Sequence, residues 1–183
     1  MAQAAHKADP VRPITRTFAD DGLVPNHPTL PFVVYPRAFD LSGEKDPAGL
    51  IEKTFAANGW GDSWRDGIYS FTHFHSMIHE VLGVAAGRAR VRFGGKEGEE
   101  LDLHAGDVAV LPAGTGHQRL SATSDFLVIG AYPAQGTYDL CRATPSEHAR
   151  AKDLVTKVPL PDADPVYGKD GPLLRLWRAE DRS

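Results

Sequence analysis

The sequence predicts an all-β fold, a small barrel with a few peripheral helices. Three observations carry this. From Gly67 to Tyr132 the chain reads as short apolar or alternating strands separated by turn residues. Fourteen prolines and eighteen glycines supply the turns that such a fold needs. Within the same stretch, His73, His75, Glu80 and His117 stand at spacings that suit one metal ion, and glycines and a proline frame them. A metal bound inside a small β-barrel accounts for the glycines and the histidines together.

The elements follow in order. Residues 1–13 are polar and are expected to fray. Residues 14–45 are broken by Pro25, Pro28, Pro31 and Pro36, and read as an extended arm carrying one apolar strand, Phe32–Tyr35. Asp46 then caps a helix with Pro47 at its first position. Leu50, Ile51 and Phe55 form its apolar face, and Asn58-Gly59 ends it. Trp60 and Trp64 are expected to cover one end of the core.

Ile68–Phe74 alternates as a strand and Glu80–Ala86 is an apolar one. Arg88–Phe93 puts Ala89, Val91 and Phe93 on one face and Arg88, Arg90 and Arg92 on a solvated or subunit-facing one. A turn at Gly94–Gly98 leads into a short strand at Glu100–His104, and Val108–Leu111 and Phe126–Tyr132 complete the set. Thr144-Pro145-Ser146-Glu147 is a capping box whose helix is expected to reach about Lys157, before Pro159 and Pro161. The apolar stretch Leu173–Trp177 reads as a closing strand. The implied organisation is an N-terminal arm at 1–34, a barrel at 35–140, and a C-terminal helix and tail at 141–183 packing on it.

Composition narrows the function. With 183 residues the chain is one domain with a full core and short for two. The net charge is −4 and no Lys/Arg cluster forms a stripe, which argues against nucleic acid or an anionic membrane as partner. The single cysteine, Cys141, excludes an internal disulfide, fits a reducing compartment, and reads as a packed or surface thiol. No apolar segment resembles a signal peptide or approaches the roughly 20 residues of a membrane span, so a cytoplasmic location is expected.

The chemistry lies in the histidines. His73 and His75 are two apart, which on a strand puts both imidazoles on one face about 7 Å apart along the chain. A turn at Ser76–Ile78 lets Glu80 bring a carboxylate in from the next strand, and His117 arrives from elsewhere after the Pro112-x-Gly114 turn. Three neutral imidazoles and one carboxylate carry a net charge of −1, suit a divalent cation such as Fe, Mn, Zn or Ni, and leave one or two coordination positions open. His6, His27, His104 and His148 read as hydrogen-bonded or surface residues. Tyr69, Phe71 and Tyr132 are candidates to line a pocket around the ion.

These stretches resemble the two signature motifs of the cupin superfamily. Gly67, His73, His75, Glu80 and Gly87 match every fixed position of the first motif, which spans 67–87. Gly106, Pro112, Gly114 and His117 match the second, which spans 106–121, while Ser121 stands where the pattern has asparagine. The longer H-x-H-S-x-x-H-E core, the PNHPTLP segment before it and the DPVYG-x-DGPLLRLW ending are similar to single-domain bacterial cupins without an established function. The resemblance implies an RmlC-like jelly-roll barrel with a metal in its mouth held by His73, His75, Glu80 and His117. His79, beside Glu80, is the rival for the carboxylate's place.

Two classes of function remain open on the sequence. One is a metal-dependent enzyme acting on a small polar molecule, either an oxidoreductase of the dioxygenase type or an isomerase or decarboxylase. The other is a non-catalytic module that binds a metal or small ligand. A homodimer is expected, with the Pro-rich segment 23–36 crossing to the partner.

Overall fold

The computed structural model describes residues 12–178, and the polar start expected to fray, with His6, falls almost wholly outside them. The chain is mostly β, two antiparallel sheets packed face to face with a few short helices. Its strands are β1 (Ile14–Arg16), β2 (Phe32–Tyr35), β3 (Trp60–Asp66), β4 (His73–Phe74), β5 (Glu80–Ala86) and β6 (Arg88–Phe93), then β7 (Glu99–His104), β8 (Val108–Leu111), β9 (His117–Ala122), β10 (Leu127–Pro133) and β11 (Cys141–Arg142). The helices are α1 (Pro47–Ala57), α2 (Pro145–Ala151) and α3 (Pro172–Arg178). One sheet runs β1-β2-β8-β5-β10-β3 and the other β11-β4-β9-β6-β7.

The central strands of the six-stranded sheet are buried on both faces, which explains why β8, and β5 after Glu80, carry no polar residue rather than alternating. On its outer side Val81, Ala85, Val108 and Val110 pack with Ile51 and Phe55 of α1 and with Leu173 and Trp177 of α3. On its inner side Leu82, Val84, Ala109 and Leu111 meet Val91, Phe93 and Leu103 of the other sheet. The five-stranded sheet is solvated on its outer face. There Arg90 pairs with Glu100 and Asp102, and Arg92 with Glu100, so the arginine row expected on β6 is a solvent-facing ion-pair ladder.

The helix expected after Asp46 forms as read. Asp46 accepts from the Gly49 N–H at 3.0 Å, Pro47 opens the helix and Asn58 closes it. Three readings are corrected. Leu173–Trp177 is not a strand but part of α3, with Leu173, Leu174 and Trp177 buried and Arg175 exposed, a helical spacing opened by Pro172. The helix after Thr144 stops at Ala151, and the chain continues to Lys157 as a turn and a 3₁₀ segment. Ile68–Phe74 is not one strand: only His73–Phe74 pairs, and the long strand lies earlier at Trp60–Asp66. That strand is an edge, half exposed, with Asp62 at φ 51, so its side chains carry no clean period of two.

The Pro-rich segment expected to reach a partner packs on its own chain. Val24 and Leu30 are buried, and the strand Phe32–Tyr35 pairs with β1 and β8. His27 is buried there with its Nδ1 accepting from the Leu30 N–H at 2.9 Å, and burial lowers its pKa to about 4. His104 is exposed, and His148 pairs with Asp20 at 2.8 Å. No helix among the described residues is long and apolar enough to cross a membrane.

Candidate metal centre

His73 on β4 lies directly opposite His117 on β9, and His117 lies opposite Phe93 of β6, so all three side chains point between the sheets. His75 follows β4 on the same side as His73. The ring centroids of His73 and His117 are 3.9 Å apart, and those of His75 and His117 5.7 Å. One ligand nitrogen from each of the three lies within 4.8 Å of the others, an arrangement that can hold a metal ion, and all three residues are buried. Glu80 opens β5 in the other sheet and points into the same space. Its Oε2 touches His75 Nε2 and lies 3.9 Å from His117 Nε2.

The backbone sets the tautomer of each imidazole. His73 Nδ1 faces the Phe71 carbonyl at 3.0 Å, His117 Nδ1 faces the Thr115 carbonyl at 3.0 Å, and His75 Nδ1 faces the Asp139 carbonyl. A carbonyl only accepts, so each Nδ1 carries the proton and each Nε2 lone pair is turned to the centre. Burial holds the pKa of His73 below its ordinary value. That of His117 lies well below, through burial and then the neighbouring imidazoles. Burial also opposes charge on His75, but the Glu80 carboxylate outweighs it and raises that pKa. Glu80 Oε2 is buried without a hydrogen-bond partner. It and His75 Nε2 therefore meet as two acceptors unless a cation, a proton on His75 or a metal ion, joins them. The donor set fits a divalent ion on these grounds.

His79 is placed elsewhere. Its Nδ1 accepts from the Ala113 N–H at 2.9 Å, and its ring sits 4.8 Å from that of Trp177, on the α3 side of the sheet. Burial lowers its pKa to about 3. Strand alternation thus turns Glu80 inward and His79 outward, as the period of two requires.

The four residues of the centre line a cavity of about 1020 Å³. All three pocket candidates, Tyr69, Phe71 and Tyr132, line it, although Tyr69 and Phe71 do so from the loop before β4 rather than from a strand. Trp64, Arg119 and Tyr138 also line it, and the sequence reading did not place them there. Trp64 lies opposite Gly130, where a Cβ would come within 2.0 Å of the indole. The missing side chain lets the ring lie over the strand and donate from Nε1 to the Tyr132 hydroxyl at 2.8 Å. The Tyr132 oxygen is thereby used as an acceptor, and its own proton is left to donate into the cavity. Burial, then the Glu80 charge, raises its pKa, so it stays a phenol.

Two residues far apart in sequence hold the candidate histidines in place, and no local pattern announces either. Asp139 accepts from the Ser76 N–H at 2.8 Å, the Met77 N–H at 3.2 Å, the Ser76 hydroxyl and Cys141 Sγ, while its carbonyl orients His75. Burial would raise its pKa, but the hydrogen bonds from Ser76 and Cys141 prevail and hold it low. The Cys141 thiol is buried and its pKa is pushed up to about 11 by burial and by Asp139, which makes it a packed, unreactive group. Asn26 donates from Nδ2 to the Ala19 and Gly94 carbonyls at 2.9 and 3.0 Å and accepts from the Gly116 N–H at 3.1 Å. It staples the loop that delivers His117. Gly114 in that loop has φ 91, and a Cβ there would lie 2.8 Å from the Asn26 carbonyl, so glycine is required.

No family model matches the chain. Among solved structures it is similar to the DMSP lyase DddQ from Ruegeria pomeroyi DSS-3, with 15% identity and a TM-score of 0.36 over 64% of this chain and 44% of that one. The chain thus spans less than half of that lyase. It is also similar to WlaRA, a TDP-fucose-3,4-ketoisomerase from Campylobacter jejuni, with 12% identity and a TM-score of 0.40 over 52% of this chain and 77% of that one. The "Uncharacterized protein YjlB" of Bacillus subtilis (strain 168) is 41% identical over 163 residues, which cover 89% of this chain and 95% of that protein. The chain belongs to the family of YjlB.

Proposed function

We propose that the chain holds one divalent metal ion on His73, His75, Glu80 and His117 and acts as a metal-dependent enzyme on a small polar molecule. The observation that carries the proposal is the backbone-fixed tautomers: three Nδ1 groups face carbonyls, the three imidazoles each bring a ligand nitrogen within 4.8 Å of the others, and a buried carboxylate oxygen that lacks a hydrogen bond lies beside two of them. Glu80 is preferred to His79 as the fourth ligand because it faces the cavity, while His79 is spent on the Ala113 N–H.

A divalent ion there would supply Lewis-acid polarisation of a substrate oxygen or, as iron, oxygenase chemistry. The chain's own groups do the rest. The aromatic walls narrow the space open to water, and Tyr132 can donate a proton to an oxygen of a bound molecule while Trp64 fixes its hydroxyl. An open cavity of about 1020 Å³ beside the ligands favours catalysis or exchangeable ligand binding over a closed structural site.

Elemental analysis of protein purified without a chelating column tests the proposal. About one equivalent of Fe, Mn, Ni or Zn per chain is expected, with iron favouring oxygenase chemistry and the others isomerase or decarboxylase chemistry. Protein that holds no ion, and takes up none when each is offered, contradicts it.

A further inference from the structure

We propose that Arg119 is an anion anchor that selects an organic carboxylate with an apolar body for this cavity. The proposal rests on the reading of the cavity as a substrate site. Arg119 is two residues beyond His117 on β9, so both side chains project from the same face of the strand. Its register partner is Val91, which is fully buried in the core between the sheets. An arginine opposite an inward valine points inward, and Arg119 accordingly lines the cavity and is half-buried.

The other arginines near the cavity are engaged. Arg65 is held by Glu52 through two bonds of 3.1 and 2.7 Å, and the Arg142 guanidinium lies 3.6 Å above the Phe71 ring. The Arg119 side chain has neither a hydrogen bond nor an ion pair among the described residues. A half-buried guanidinium without a protein partner keeps its planar fork free for a ligand anion, and that fork matches a carboxylate bidentately. The acidic residues on the facing wall, Asp62 and Asp66, are exposed on the edge strand β3. They do not occupy the fork.

The remaining wall argues for the apolar body. Tyr69 and Phe71 are stacked with centroids 4.7 Å apart, and Tyr132 and Tyr138 meet edge to face at 5.5 Å. Tyr69 and Tyr138 are 51% and 53% exposed, and they are two of the four large apolar side chains exposed among the described residues. Both stand beside this cavity. The Arg119 N–H donates to the Tyr69 carbonyl at 2.9 Å, which ties the anchor to the aromatic wall. One strand step of two residues, about 7 Å, separates Arg119 from His117. A carboxylate on Arg119 can therefore carry an aromatic or aliphatic body along the wall and present a second oxygen at the histidines.

Calorimetric titration of the metal-loaded protein with benzoate, phenylacetate, 3-phenylpropanoate and 4-phenylbutanoate, each beside its neutral amide, tests this. At least one acid should bind wild type about ten- to hundredfold more tightly than its amide, the range for a charge-assisted pair in a partly buried site. In Arg119→Met the preference should fall to within about threefold, and Arg119→Lys should keep part of it, with metal content unchanged in both. Equal binding of acid and amide to wild type, or no binding by any acid, overturns the proposal. So does a preference that survives in Arg119→Met, because the metal ion would then be holding the carboxylate. An Arg119-dependent preference in protein that takes up no metal would keep the anchor and reject the metal-centre reading instead.

Discussion

His117→Ala is expected to lower divalent-ion affinity by at least about a hundredfold while leaving the protein folded. Structural zinc sites with four ligands bind with about 10–16 kcal/mol, or about 2.5–4 kcal/mol per ligand, and each 1.4 kcal/mol is about tenfold. His117 is the central member of the group, with its ring against those of both His73 and His75. Its depressed pKa keeps it an unprotonated donor well below neutral pH. The ring borders the cavity, so water can occupy the space it leaves, and the apoprotein loses one of three imidazoles crowded together. Its melting temperature should therefore move by only a few degrees. Competition with a chromophoric chelator measures the affinity, and a wild-type value for His117→Ala would remove that residue from the ligand set.

Asn26→Ala is expected to cost about 3–5 kcal/mol of stability. The side chain makes three hydrogen bonds in a buried site, and its loss strands the Gly116 N–H and the Ala19 and Gly94 carbonyls at about 1 kcal/mol or more each. Alanine would also hold φ 51, a left-handed conformation that costs about 1–2 kcal/mol outside glycine and asparagine. Asn26→Gly removes the bonds without that strain, so it should be milder by about 1 kcal/mol in chemical denaturation. Because Asn26 fixes the loop before His117, both variants should also bind the ion more weakly than wild type. A loss below about 1 kcal/mol for Asn26→Ala would show that water replaces the staple.

Asn26 also marks where sequence reading reaches its limit. The histidines were legible because strand geometry is local: two residues on one face, then a turn, then a carboxylate. Which of Glu80 and His79 faces the cavity was legible for the same reason, since a strand sends neighbours to opposite faces. The helix at Pro47 announced itself through a cap and a proline within one turn. What pairs across long separations announced nothing. Asn26 meets Gly116 across ninety residues, and Asp139 meets Ser76 across sixty-three. The apolar run at Leu173 was ambiguous by nature. It is too short for periodicity to separate strand from helix, and the buried sheet face it covers is what settles it. Arg119 went unread in the sequence although it stands two residues after His117 and shares its strand face; its pairing with the buried Val91 shows that this face is the inner one.

X-ray absorption spectroscopy of the metal-loaded protein tests the central claim most directly. The expected first shell holds three imidazole nitrogens at about 2.0–2.1 Å, with multiple scattering from three rings, and at least one oxygen at about 2.0–2.2 Å. A shell with a sulfur ligand, or with fewer than two imidazoles, would place the ion away from His73, His75 and His117 and contradict the account.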